Sequence, residues 1–344
     1  MKRAPVAVVA TVGLFLLVQL GALALIDPFV DAGFQTVEDP SDPTNSLLYI
    51  GAILVATVVM LAAIKFGVDR FLQGLVIFAA VFLSWYVFTV VIPPVVVVSG
   101  LNVLAVVASL ALGGALVLYP EWYVIDAAGV VMGAGAAGLF GISFGLLPAA
   151  VLLTVLAVYD AISVYGTEHM LTLASGVMDL RLPVVLVVPL TLSYSFLEED
   201  GAEAVEGATP DGGEPEAAST GEEPTDESAV DGAEPEDAGA FDRDAFFIGL
   251  GDAVIPTILV ASAAFFRPGG VALLDVPGIA LTVPALGAMV GTIAGLLVLI
   301  WMVMKGRAHA GLPLLCGGAL AGYLLASLTV GVGVVEALEL GRYV

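Results

Sequence analysis

Long apolar runs separated by short polar breaks dominate the chain, and their lengths predict helices that cross a lipid bilayer. A hydrocarbon core of about 30 Å and a rise of about 1.5 Å per residue require roughly 20 apolar residues per crossing. Residues 5–26 supply the first such run behind Met1-Lys2-Arg3. It is longer than the apolar stretch of a cleavable leader and reads as a first spanning helix. Residues 27–46 are acidic and carry Pro40 and Pro43, so they belong outside the lipid. Further runs cover 47–64, 71–92 and 101–119, broken by the segment from Lys65 to Arg70 and by Pro93-Pro94. The stretch 124–165 is too long for one crossing and divides between Gly145 and Pro148 into a fifth and a sixth helix. Runs at about 245–266, 279–304 and 311–334 bring the total to nine. A shorter run, 182–196, contains Pro183 and Pro189 and reads as a membrane-surface or re-entrant segment.

The basic residues test this count, because Lys and Arg cluster on the cytoplasmic connections of membrane proteins. With the N-terminus in the cytoplasm, Lys2, Arg3, Lys65, Arg70, Arg181, Arg243, Lys305 and Arg307 fall inside, and Arg267 and Arg342 outside. A tenth span at 182–196 would invert the last three spans and spoil the pattern. The expected fold is therefore an all-α polytopic protein of the cell membrane with nine transmembrane helices, its C-terminus outside. Residues 1–165 carry helices one to six, 166–244 form a cytoplasmic loop, and 245–344 carry helices seven to nine.

Composition sharpens the picture at one place. The chain is 60% hydrophobic, beyond the range of soluble domains, yet its formal charge is −23. Residues 198–244 hold 18 of the 33 Asp and Glu but one of the ten Lys and Arg, so the acidity belongs mainly to one loop. That loop is rich in Gly, Pro, Glu and Ala and poor in large apolar residues, and is expected to be disordered. The acidic bias suits a halophilic host. No basic stripe exists to bind nucleic acid. Cys316 is the single cysteine, which excludes an internal disulfide and leaves a packing role.

Two acids lie deep in apolar runs, Asp160 in helix six and Asp252 in helix seven. A carboxylate at the centre of a spanning helix costs about 2.5 to 3.5 kcal/mol on insertion scales, so each needs a reason. Counting places both roughly 8 to 10 Å from the cytoplasmic end of antiparallel, consecutive helices, where they can face one another. Two carboxylates in contact share one proton, and one acid beside one base can activate water against an amide carbonyl. Tyr159 stands beside Asp160, while Gly249 and Gly251 remove side chains where substrate backbone must approach.

Val158-Tyr159-Asp160-Ala161 in one helix, Gly249-Leu250-Gly251-Asp252 in the next, nine spans and a long hydrophilic loop between them resemble the presenilin and signal peptide peptidase family of intramembrane aspartyl proteases. The wording around both motifs is similar to the archaeal branch. The resemblance implies a presenilin-like bundle and an aspartic endopeptidase without cofactor or metal. It further implies that the substrates are single-span membrane proteins or remnant signal peptides. The family carries Pro-Ala-Leu at the start of its last helix. Pro284-Ala285-Leu286 matches literally but opens the eighth span from the outer side. The role is assigned instead to Pro313, Leu314 and Leu315, which open the ninth span at the depth of the aspartates, with Leu314 where Ala is usual.

Other features have structural readings. The run from Gly133 to Gly138 spells Gly-x-Gly-x-x-Gly, but no strand precedes it, and small residues inside a span serve helix packing. His169 and His309 lie far apart near membrane edges and do not make a metal site. Asp69 and Asp126 sit near span ends and read as interfacial. The competing function is a proton-coupled transporter that uses the same two acids, and a third is a membrane scaffold in which both are replaceable. Nothing in the sequence sets an oligomeric state.

Overall fold

A computed structural model of the chain describes residues 4–35, 37, 39–66, 68–166, 185–189, 245–305 and 309–342. Among these residues nine helices of 16 or more residues occur, one at each position where an apolar run predicts it. They are α1 (Ala4–Asp31), α2 (Thr44–Lys65), α3 (Asp69–Val91), α4 (Val103–Leu118), α5 (Trp122–Ser143), α6 (Leu146–Gly166), α7 (Leu250–Phe266), α8 (Val283–Val303) and α9 (Leu312–Thr329). Six are long and apolar enough to cross a membrane, and α2, α4 and α7 hold shorter apolar stretches. A short ribbon, β1 (Val97–Val98) with β2 (Leu101–Asn102), leads into α4. The acidic stretch 198–244, His169 and Arg181 lie outside the described residues.

The helices assemble around α5, of whose spanning window 67% is buried, against 17% for α3 at the periphery. Small residues make that centre possible, because a helix can approach α5 closely only where no side chain intervenes. A Cβ on Gly133 would press on Leu250 and Val254 of α7, one on Gly135 on Val87 of α3, and one on Gly138 on Phe29 of α1. The Gly-x-Gly-x-x-Gly run is therefore a packing surface for three helices. The tightest seam joins α8 and α9. Cβ atoms on Gly287, Gly291 and Gly295 would fall on the carbonyl oxygens of Gly322, Gly318 and Leu314, so these helices meet backbone to backbone. Cys316 is fully buried in the core beside Ala319.

The break between α5 and α6 falls at Phe144 and Gly145, at the start of the 145–148 stretch where the sequence divides the run, and Pro148 lies inside α6. Helix ends leave carbonyls without intrahelical partners. Here Gln35 Nε2 donates to Ile142 O at 3.0 Å and Ser262 Oγ to Phe144 O at 2.8 Å. Gly145 N donates to Pro40 O at 2.7 Å, which ties the connection between α1 and α2 to the same end of the bundle.

Several boundaries differ from expectation, three of them near the site or the bundle's end. Helix α1 continues past residue 26 to Asp31, with Pro28 inside it and Asp27 and Asp31 exposed. The run 182–196, read as a membrane-surface or re-entrant segment, contains a buried strand, β3 (Val185–Pro189). It pairs antiparallel with β4 (Ala245–Gly249), with Val185 opposite Gly249 and Val187 opposite Phe247. The consecutive Val, Leu, Val and Val of β3 suit extended backbone, and Leu186, Val187 and Val188 are all buried. Because 245–249 is strand, α7 starts at Leu250 and not at 245. Asp252 thus lies in its first turn, at the positive end of the helix dipole, rather than two turns inside.

Candidate active site

Asp160 is buried on α6, six residues before the helix ends at Gly166, which is about 9 Å along the axis. Its Oδ2 accepts a hydrogen bond of 3.1 Å from the amide of Leu312. Asp252 approaches the neighbouring Gly311. A Cβ built on Gly311 would stand 3.3 Å from Asp252 Oδ2. The two carboxylates interact electrostatically, and the connection into α9 lies against both.

The local sequence accounts for this convergence. Gly249 ends β4 and serves as N-cap of α7, and a side chain there would stand 3.5 Å from Asp252 Oδ2. Gly251 is exposed, with Ile255 Cδ1, at 3.9 Å, the nearest atom to its missing Cβ. Leu250 faces the other way, buried against the notch at Gly133. Pro256 sits in α7 four residues after Asp252 and has no N–H, so the carbonyl of Asp252 lacks its usual helical donor. Thr257 Oγ1 bonds Ala253 O at 2.6 Å one residue further on.

The remaining residues named from sequence separate into those near the carboxylates and those behind them. Pro313 occupies the first turn of α9, Leu314 lends its carbonyl to the seam with α8, and Leu315 is fully buried in the core. The groups that touch Asp160 and Asp252 are one step earlier, at Gly311 and Leu312. Pro284-Ala285-Leu286 lies at the far end of the bundle, where Thr282 Oγ1 bonds Ala263 O near the end of α7. Tyr159 is 38% exposed on α6. Tyr165, which the sequence reading left without a role, accepts from Ala310 N at 3.3 Å and lies 3.4 Å from His309 Nδ1. Its one signal was its place on α6 below Asp160. A cavity of about 190 Å³ opens beside Asp252, lined also by Thr11, Ile248, Ile300, His309 and Gly311.

Asp126 corrects the interfacial reading. It is 7% exposed, and its Oδ1 accepts from Val187 N of β3 at 2.7 Å. A strand that the apolar pattern did not predict covers it. Among the described residues no three His, Cys, Asp or Glu side chains are grouped to hold a metal ion.

A bundle of apolar helices in which two carboxylates lie against one connection, at Gly311 and Leu312, is the arrangement expected of an intramembrane aspartyl protease. A family model described as signal-peptide peptidase, presenilin aspartyl protease matches residues 12–332. The chain belongs to that family. It is similar to a presenilin family intramembrane aspartate protease solved in two crystal forms. One is 32% identical, covers 94% of this chain and 99% of its own, and superposes with a TM-score of 0.61. The other is 30% identical, covers 93% and 97%, and has a TM-score of 0.58. No curated protein matches. Family membership sets the transporter and scaffold readings aside.

Proposed function

We propose that Asp160 and Asp252 are the catalytic pair of this protease. One carboxyl in its acid form polarises the scissile carbonyl while the other, ionised, takes a proton from the attacking water. The amide of Leu312 on Asp160 carries the reading most directly, because it fixes one carboxylate against the segment that also faces the other. Gly249, Gly251 and Gly311 leave the approach to Asp252 free of side chains, room that an unwound peptide needs before its carbonyl can be reached. Pro313, Leu314 and Leu315 shape the site from behind by holding Leu312 at the start of α9. Tyr159 contributes to the surface of α6, and Leu250 anchors the first turn of α7.

The substrates on this reading are single-span membrane proteins or remnant signal peptides, entering a bundle of nine spanning helices. The N-terminus and the acidic stretch 198–244 lie in the cytoplasm and the C-terminus outside the cell membrane, in accord with the bias of Lys and Arg. The acidic composition suits a halophilic archaeal source.

The test is cleavage of a labelled transmembrane peptide by purified protein in detergent, wild type beside Asp160→Ala and Asp252→Ala. Both variants are expected to be inactive. Cleavage that survives either substitution would sink the pair.

A further inference from the structure

Asp126 is a buried carboxylate that the proposed chemistry does not use. It lies on α5, between Ile125 and Ala128, which are 1% and 0% exposed. An acid enclosed in an apolar helix is costly without a partner, and its partner is a backbone amide of β3. The bond from Val187 N is 2.7 Å long and approaches from the strand, across 61 residues of sequence. One turn further along α5, a Cβ on Gly129 would stand 3.0 Å from Leu186 Cδ2 and 3.8 Å from Leu250 Cδ1. The helix therefore offers β3 a matched seat: an acceptor for its backbone and a notch for the neighbouring side chain.

The strand carries that seat to the reacting groups. Val187 lies opposite Phe247 and Val185 opposite Gly249, the N-cap of α7, three residues before Asp252. A two-stranded ribbon has little stability of its own and takes its position from what it packs against. With Val187 N committed to α5, the side of β3 away from β4 is closed at that residue. We infer that Asp126 is a positioning residue for peptide hydrolysis, fixing β3 on α5 so that β4 delivers Gly249 and the first turn of α7 in register with Asp160. This rests on the assignment of Asp160 and Asp252 as the catalytic pair.

Asparagine keeps an acceptor oxygen at this position, whereas leucine and alanine do not. In monodisperse full-length enzyme, Asp126→Asn is expected to cleave a labelled transmembrane peptide with kcat within threefold of wild type. Asp126→Leu, and Asp126→Ala should the leucine variant not fold, are expected to lose about 100-fold in kcat, the usual effect of small misplacement in a reacting constellation. KM should stay within threefold, since Asp126 does not reach substrate. Hydrogen exchange of the 185–189 backbone should accelerate at least tenfold in the Leu and Ala variants and stay slow in Asn. A merely structural role would lower the melting temperature while leaving kcat per folded molecule unchanged. That result, or an Asn variant as impaired as Ala, would overturn the inference. Asp160→Ala and Asp252→Ala run alongside: if either cleaves, the catalytic assignment has failed, whereas exchange at 185–189 still reports on Asp126.

Discussion

Asp160 Oδ2 accepts a 3.1 Å hydrogen bond from the amide of Leu312, so an acid on α6 is held by the first residue of α9, 152 positions later in the chain. The neighbouring Gly311 is confined between Asp252 and Leu299, whose atoms would lie 3.3 and 3.4 Å from a Cβ. Gly311→Val is therefore expected to reduce kcat/KM by about 100-fold through displacement of this segment. Initial rates on a transmembrane peptide, with the melting temperature measured alongside, check it; wild-type rates would mean that the segment tolerates the shift.

The two tyrosines that flank Asp160 should part company. Tyr165 supplies an acceptor to Ala310 N, and losing one such bond costs about 0.5 to 1.5 kcal/mol. Tyr165→Phe should thus lower activity by roughly three- to tenfold, using the same conversion of free energy to rate. Tyr159 is exposed, and Tyr159→Phe should stay within twofold of wild type. Side-by-side progress curves decide between them.

Along the seam of α8 and α9, position matters more than residue size. Gly291→Val forces apart two backbones already in contact, and overpacking of this kind costs about 1 to 3 kcal/mol or more. Gly317→Val, on the same helix pair, meets nothing within 4 Å. Thermal unfolding in detergent should fall sharply for the first substitution and change little for the second.

Outside the membrane, Asp42 ahead of α2 accepts from Thr44 N at 2.8 Å. The Thr44 amide, and then its hydroxyl, hold the Asp42 carboxyl below its ordinary value of 3.8. A group depressed in the folded state stabilises it above the unfolded value, and that stabilisation disappears as pH falls through the folded value. The difference in melting temperature between wild type and Asp42→Ala should hold from neutral pH down to about 4 and close below that. A difference that persisted in stronger acid would assign the effect to something other than this carboxylate.

Much of this was legible because bilayer thickness imposes a length on an apolar run: among the described residues each of the nine runs holds a helix, six of them long enough to cross a membrane. Asp160 and Asp252 were legible for a related reason, since an acid in an apolar run needs an explanation. What the pattern concealed was the pairing of 185–189 with 245–249. Five consecutive apolar residues read alike as buried strand or as a membrane piece, and a partner some 60 residues away leaves no local trace. That omission moved the start of α7 and hid the role of Asp126, which looked like an acid at a span end until a strand was laid over it. The roles of Gly311 and Tyr165 were hidden likewise, because both depend on where α6 meets α9.

The glycine seam between α8 and α9 has a consequence for inheritance. Side chains ordinarily cushion a protein against mutation by repacking, but here there is almost nothing to repack: one added methyl on Gly287, Gly291 or Gly295 meets a peptide group directly. The lost room can be recovered only by moving α9, whose first residue is Leu312. A single codon change deep in this seam would therefore shift the segment that holds Asp160, the carboxylate proposed to act with Asp252, without altering any residue beside either.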